Sequence, residues 1–274
     1  MEIGIKRHRH PVADLKALIF DVDGTLAETE RDGHRVAFNQ TFEAAGLDWH
    51  WSIAHYGQLL NASGGKERMR YYLELAQPQR PAGVDITALI ADLHQAKTQR
   101  YRALVESGQM QLRPGVKRLI ESARARHIRL AIATTSHPDN ALALLETTLG
   151  PDAPSWFEVI AAGDIVPHKK PAPDIYHYVL EQLGLPPTQC LVLEDTEHGL
   201  ASANGAGLPT VITVSNYTRH QDFAAAAQVL DHLGEAAQPA QVLAGPALVK
   251  DYFDLAAAEQ LLTRNPGTVS QGGD

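Results

Sequence analysis

Cysteine is almost absent: Cys190 is the only one in 274 residues, which excludes an internal disulfide and any thiolate metal cluster built within one chain. A surplus of positive charge is lacking too. The 24 lysines and arginines stand against 32 acidic residues, a formal net charge of -8, so the molecule repels phosphate backbones and nucleic acid is not an expected partner. No uninterrupted apolar run reaches bilayer length, and the basic opening MEIGIKRHRH has no apolar segment behind it; no membrane partner is expected, and the chain reads as cytoplasmic. There is no internal repeat, and the 13 histidines lack the spacing of a zinc site.

Hydrophobic residues, at 44% of the chain, suffice for a proper interior, and charged residues make up 20%. An acidic protein that acts on an anionic substrate must gather positive groups, or a metal ion, at one place. Short apolar runs the length of buried strands occur at 17–20, 130–133, 159–162 and 191–193, with a fifth at 211–214 after Pro209. Between them lie helical patterns at 116–126, opened by Pro114-Gly115, and at 140–149, 174–183 and 197–206. Strand alternating with helix predicts an α/β fold with a parallel, doubly wound sheet.

From about Gly33 to Ser107 the rhythm changes to helical patterns alone, at 35–45, 66–75 and 86–105. An insertion directly after the first strand would lie over the carboxyl edge of the sheet, where ligands of such folds bind, so it is a candidate lid. The expected division is core over 1–33, helical cap over 34–107, core over 108–262 and a flexible tail over 263–274. Trp49, Trp51 and Tyr56 are expected to pack inside the cap, and Cys190 inside a strand.

The residues that follow each strand carry the chemistry. They are Asp21 and Asp23 after the first, Thr134, Thr135 and Ser136 after the second, and Glu194 and Asp195 after 191–193. Parallel strands put all of these on one edge, where four carboxylates repel one another unless a hard cation such as Mg²⁺ sits among them. Lys170 can reach the same edge and supplies fixed positive charge. Each residue also has a plain structural reading: Asp-x-Asp pairs make turns, Glu194-Asp195 and Thr134 with Ser136 can cap the following helices, and Lys170 can be solvated surface. Four ordinary caps have no reason to fall after successive strands, and the joint reading is a catalytic site.

Asp21-Val22-Asp23-Gly24-Thr25-Leu26 resembles the first motif of the haloacid dehalogenase-type hydrolases, Thr134 the second, Lys170 in Lys170-Pro171-Ala172-Pro173-Asp174 the third and Glu194-Asp195 the fourth. The resemblance implies a Rossmann-like core with a cap hinged near residues 28–34 and 107–113. Glu28-Thr29-Glu30, Gly64-Gly65-Lys66-Glu67-Arg68 and Asp48-Trp49-His50-Trp51 are similar to the CbbY-like phosphatases. That group removes one phosphate from xylulose 1,5-bisphosphate, an inhibitor of Rubisco.

By this resemblance Asp21 attacks phosphorus and becomes an aspartyl phosphate, and Asp23 is the general acid and then the base. Mg²⁺ is implied on Asp21, the Asp23 backbone carbonyl and Asp195, with Glu194 orienting coordinated water, and Thr134 and Lys170 hold the phosphoryl oxygens. A sugar bisphosphate needs a second anion site in the cap or hinge, for which Lys66, Arg68, Arg70 and Arg100 are candidates. The glycine pair beside Lys66 would allow close approach to a ligand. Glu28 is expected near sugar hydroxyls, and His34 either contacts substrate or begins a cap helix. The expected enzyme works as a monomer on a small sugar phosphate. A sugar phosphomutase of the same fold, a phosphatase for another sugar phosphate and an inactive sugar-phosphate-binding module remain open.

Overall fold

The computed structural model describes residues 14–78 and 83–264; the basic opening and residues 265–274 of the expected tail lie outside the described residues. Among the described residues seven strands form one sheet: β1 (Ala17–Phe20), β2 (Arg129–Thr134), β3 (Val159–Ala162), β4 (Cys190–Glu194), β5 (Thr210–Thr213), β6 (Gln228–Leu230) and β7 (Val242–Ala244). Their spatial order is β3-β2-β1-β4-β5-β6-β7. Every pairing is parallel except β6 with β7. The parallel, doubly wound sheet is therefore as the sequence predicts.

The helices are α1 (Arg35–Ala44), α2 (Ile53–Leu59), α3 (Gly65–Ala76), α4 (Ile86–Glu106), α5 (Val116–Ala125), α6 (Pro138–Leu149), α7 (Asp174–Leu183), α8 (Glu197–Gly205) and α9 (Leu255–Arg264). Helix α9 takes in the first two residues of the expected tail, because Leu255, Ala258, Leu261 and Leu262 recur at helical spacing and bury in the core shared with α5.

Side chains of β1 alternate between two cores, as a pleated strand with both faces covered requires. Leu18 and Phe20 join the cluster beneath α5, α6 and α9, while Ala17 and Ile19 face Ile175, Tyr176 and Val179 of α7 on the other side. Helices α1 to α4 enclose a separate apolar cluster with Phe38, Phe42, Trp49, Trp51, Tyr56 and Tyr72 at its centre. Four of these rings lie within 6 Å of Trp51, the edge-on and tilted arrangements that aromatic quadrupoles favour. Cys190 is buried in β4, and burial pushes its thiol up to about 12, which fits packing rather than chemistry.

Two features set the position of the site. Register aligns Phe20 with Ile132 on one side and with Leu193 on the other, so the residues just beyond all three strands emerge at one level. The order reverses at β1, which runs between β2 and β4, and a crevice opens outside the carboxyl ends at such a reversal. Into that crevice leads a π-helical turn, Glu30–His34, running directly into α1. Widened turns of this kind re-aim successive side chains, and here Glu30 and His34 both turn inward.

Candidate active site

The chain leaves β1 through a tight loop. The amide of Asp21 donates to Leu193 O at 3.0 Å, and the amides of Thr25 and Leu26 return to Val22 O. Gly24 holds φ +89°, and a Cβ placed on it would lie 2.1 Å from Asp195 Oδ2. The loop therefore rests directly on Asp195 and only glycine fits. Gly24→Ala should cost about 1 kcal/mol or more in backbone strain alone and should displace Asp195. Thermal unfolding and a divalent-cation titration would register both; unchanged cation affinity would contradict this packing.

Lys170 lies at the centre. Its buried ammonium donates to Asp21 Oδ1 at 2.8 Å, Ala133 O at 2.9 Å and Glu194 Oε1 at 2.5 Å. Burial opposes its charge, but Asp21 and Glu194 outweigh that and hold it well above the usual lysine range. Glu194 is itself held: Oε2 accepts from the amides of Asp195 and Thr196 at 2.9 and 3.3 Å, and Oε1 from Tyr176 at 3.2 Å. Gly199 of α8 presses on it, since a Cβ there would come within 1.9 Å of the carboxylate.

Asp21, Glu194 and Asp195 each offer an oxygen, and these atoms lie within 4.8 Å of one another. Asp195 Oδ1 is buried without a hydrogen-bond partner. Burial, reinforced by Glu194 and Asp21, pushes the Asp195 carboxyl far above the usual range. Burial likewise raises Asp21 to about 8, with Lys170 opposing the rise and Glu194 adding to it. Three oxygen donors, crowded, desolvated and short of positive charge, fit a hard divalent cation.

The second aspartate turns the other way. Asp23 Oδ1 accepts from Thr29 Oγ1 and lies 2.8 Å from His34 Nε2. Behind it, His34 Nδ1 is 2.7 Å from Lys97 Nζ, and the imidazole stacks on Tyr101 at 3.9 Å. A protonated lysine only donates, so Nδ1 is the acceptor and Nε2 carries the hydrogen directed at Asp23. Burial would raise Asp23, but His34, Thr29 and Lys97 together bring it well below the ordinary carboxylate value. Burial lowers Lys97 itself to about 7, against the pull of Asp23 and Glu30.

The remaining expected site residues divide. Thr134 and Thr135 line the main cavity with Asp21, Asp23, Lys170, Glu194 and Asp195; Arg68 does too, donating to Tyr56 OH at 2.5 Å and pairing with Glu30 at 3.3 Å. Ser136 lies beside His34, 3.4 Å from Nε2. Lys66 faces a neighbouring cleft and meets Asp164 at 2.7 Å. Three residues are not brought to these cavities. Arg70 stays along its own helix, 4.0 Å from Glu67. Glu28 turns away to Arg113, at 3.5 Å, along a separate groove. Arg100 folds back onto Ala96 O at 3.2 Å; at about 100° per residue it lies on the opposite flank of α4 from His94 and Thr98, which face the cleft.

Sequence reasoning missed Lys97 and Arg113. Lys97 had a signal, a lone lysine in the apolar stripe Ile90, Leu93, Lys97, Tyr101, Val105. Arg113 had none: its guanidinium donates to the carbonyls of Gly24, Thr213, Val214 and Asp231, fastening the segment before α5 to the loop after β1 and to the ends of β5 and β6.

A model of the haloacid dehalogenase-like hydrolases matches residues 15–207, which contain all four motifs and both aspartates. The chain belongs to that family. Protein CbbY of Rhodobacter capsulatus is 54% identical over 227 residues, 83% of this chain and 97% of that protein. A crystal structure of a mutant CbbY from Rhodobacter sphaeroides, in complex with xylulose-(1,5)bisphosphate, superposes with TM-score 0.75 at 46% identity, covering 81% of this chain and 96% of that one. A β-phosphoglucomutase from Clostridium difficile shares the fold, with TM-score 0.64 at 23% identity over 80% of this chain and 91% of that one. The chain is thus an enzyme of the haloacid dehalogenase type, a phosphatase. Among its described residues no helix is long and apolar enough to cross a membrane.

Proposed function

We propose that this chain is a Mg²⁺-dependent phosphatase that removes one phosphate from xylulose 1,5-bisphosphate, leaving xylulose 5-phosphate, with the helical layer over 34–107 acting as the cap. The observation that carries the reaction is Asp21, held by Lys170 beside the unpartnered Asp195 oxygen. The substrate is supported by the likeness to the CbbY crystal structure with xylulose-(1,5)bisphosphate.

Asp21 is the nucleophile. Lys170 fixes its carboxylate by one oxygen, leaving the other free to approach phosphorus, and with Thr134 neutralises phosphoryl oxygens that would otherwise repel it. Mg²⁺, held by Asp21, Asp195 and the Asp23 carbonyl, would supply further screening of the charge between carboxylate and phosphoryl group. Glu194 keeps Lys170 in place and faces the same cluster. Asp23 protonates the leaving sugar oxygen and then takes a proton from the water that opens the aspartyl phosphate. His34 donates to Asp23 and accepts from Lys97, so a proton can pass along the line Lys97, His34, Asp23 without a charge being stranded on buried Asp23. That line answers a difficulty, because His34, Thr29 and Lys97 hold Asp23 ionised at rest against the effect of burial.

The second phosphate goes to the neighbouring cleft. There Lys66 and Lys169 converge with His137, and Gly65 brings the α3 backbone close. A smaller cavity shares Asp23, Glu30 and Arg68 with the main one, and Gly65, His94 and His137 with the cleft, which gives a sugar chain a path from one anion seat to the other. Arg68 and Glu30, on the wall between them, are placed for sugar hydroxyls.

Initial rates with Mg²⁺ on xylulose 1,5-bisphosphate, ribulose 1,5-bisphosphate and hexose monophosphates test this reading, following both free phosphate and sugar isomers. Xylulose 1,5-bisphosphate should lead the monophosphates by about 10²-fold or more in kcat/KM, since a monophosphate leaves the second cationic seat unfilled. Equal rates would remove the substrate reading, and isomer formation in place of phosphate would make the enzyme a mutase.

A further inference from the structure

Beyond the catalytic cluster, cap and core also meet through a group of charged side chains at the neighbouring cleft. Lys66, in the first turn of α3, reaches Asp164 Oδ2 at 2.7 Å. Lys169, on the core, reaches Asp164 Oδ1 and Glu67 Oε2, each at 2.9 Å. Asp164 thus has each carboxylate oxygen on a different ammonium, one from either side of the cleft. These two lysines are the cations that the distal phosphate would use, and Lys169 immediately precedes catalytic Lys170.

A carboxylate bridging two lysines presents the same acceptor pattern as two oxygens of a phosphate, with half the charge. We infer that Asp164 is a specificity gate: in the empty enzyme it fills the distal anion seat, and only a substrate bearing a second phosphate displaces it from Lys66 and Lys169. The inference rests on the distal seat proposed above. Its physical basis is an imbalance. Asp164 is 59% exposed, so water competes for its charge and the internal pair is weak; a dianion with three acceptor oxygens can replace it. Glu67 stays on Lys169 and preserves the contact between cap and core during the exchange. His94 contributes no charge at the seat, because burial, with Lys97 and Lys66 adding to it, lowers its imidazole to about 3. A monophosphate has no group to place there, and Asp164 then remains where it is.

The test is steady-state kinetics on xylulose 1,5-bisphosphate and on an aryl phosphate ester, for the wild type, Asp164→Asn, Lys66→Gln and the double variant. Asp164→Asn should lower KM for the bisphosphate by about two- to five-fold, the size of a partly exposed ion pair, and raise the kcat/KM ratio of bisphosphate to aryl ester by the same factor. In the Lys66→Gln background that gain should shrink. A bisphosphate KM that is unmoved or rises, or an equal change for both esters, overturns the gate while leaving the substrate reading intact. A wild-type enzyme that does not prefer the bisphosphate at all removes the substrate reading, and the gate with it.

Discussion

Asp21→Asn should yield a folded protein whose phosphate release falls by at least about 10⁴-fold, the scale of losing a catalytic nucleophile. The amide has nearly the same shape and can still accept from Lys170, so the buried cluster keeps its packing. What it loses is the attacking oxygen. The stability consequence separates this from unfolding. Burial first, then Glu194 and Asp23, raise Asp21 from 3.8 to about 8 in the cation-free protein, against Lys170. A carboxyl raised in the folded state contributes stability that is complete below its unfolded value and is lost as pH rises through the folded one. Cation-free wild type should therefore lose stability between pH about 4 and about 8, and Asp21→Asn should flatten that slope. Melting curves in chelator across this range check it; a variant with wild-type slope would show that Asp21 is not the strained carboxylate. Added Mg²⁺ should restore wild-type stability at pH 8 and do less for the variant.

Lys97→Met carries the second large effect. On the proposed roles, Asp23→Asn removes the acid and base and should lower kcat by about 10²- to 10⁴-fold. Lys97 lies behind His34, on the wall of the smaller cavity, and its replacement should reproduce part of that loss, since without it His34 has no donor to Nδ1 and no proton source behind it. The pH profile distinguishes relay from packing. Burial lowers Lys97 to about 7, so protonation of the leaving oxygen should fail as pH rises through about 7, and this alkaline limb should vanish in Lys97→Met. Sign and stability agree: a lysine depressed in the folded state disfavours folding at low pH, and the disadvantage fades as pH rises from about 7 toward 10.5. Methionine should accordingly not lower the melting temperature at pH 6. An unchanged alkaline limb in a folded Lys97→Met protein would remove the relay.

Much of the fold was legible because its signals are local. Helix α7 begins at Asp174 and ends at Leu183 as the pattern predicts, and β1 matches Ala17 to Phe20, since a buried parallel strand must be a continuous apolar run. Strands β6 and β7 were not predicted: at three residues each, Gln228–Leu230 just after a run of four alanines and largely exposed Val242–Ala244 have too little length to show a period. Helix α2, seven residues opened by a Ser52 cap, was missed for the same reason.

At the site, legibility followed the strands. Asp21, Thr134, Glu194 and Asp195 could be placed together because parallel register fixes where strands end. Lys66, Arg68 and Arg100 share the same chemistry and the same helical layer, and what separates them is which partner each meets across the fold: Asp164 for Lys66, Glu30 for Arg68, its own helix for Arg100. Those contacts join segments far apart in the chain and leave no local pattern. His34 illustrates the limit. The sequence left it between substrate contact and helix start, and the structure puts it at the head of α1, bonded to Asp23 and Lys97.

The central claim is that carboxylates from separate strands gather so that Asp21 attacks phosphorus. Rapid quenching during turnover, followed by borohydride reduction and peptide mass spectrometry, reads this directly, because reduction converts an aspartyl phosphate to homoserine. Homoserine at position 21, formed only when substrate and Mg²⁺ are both present, is the expected result. Turnover at full rate with residue 21 unmodified throughout, or with the modification on another carboxylate such as Asp23 or Asp195, would contradict it.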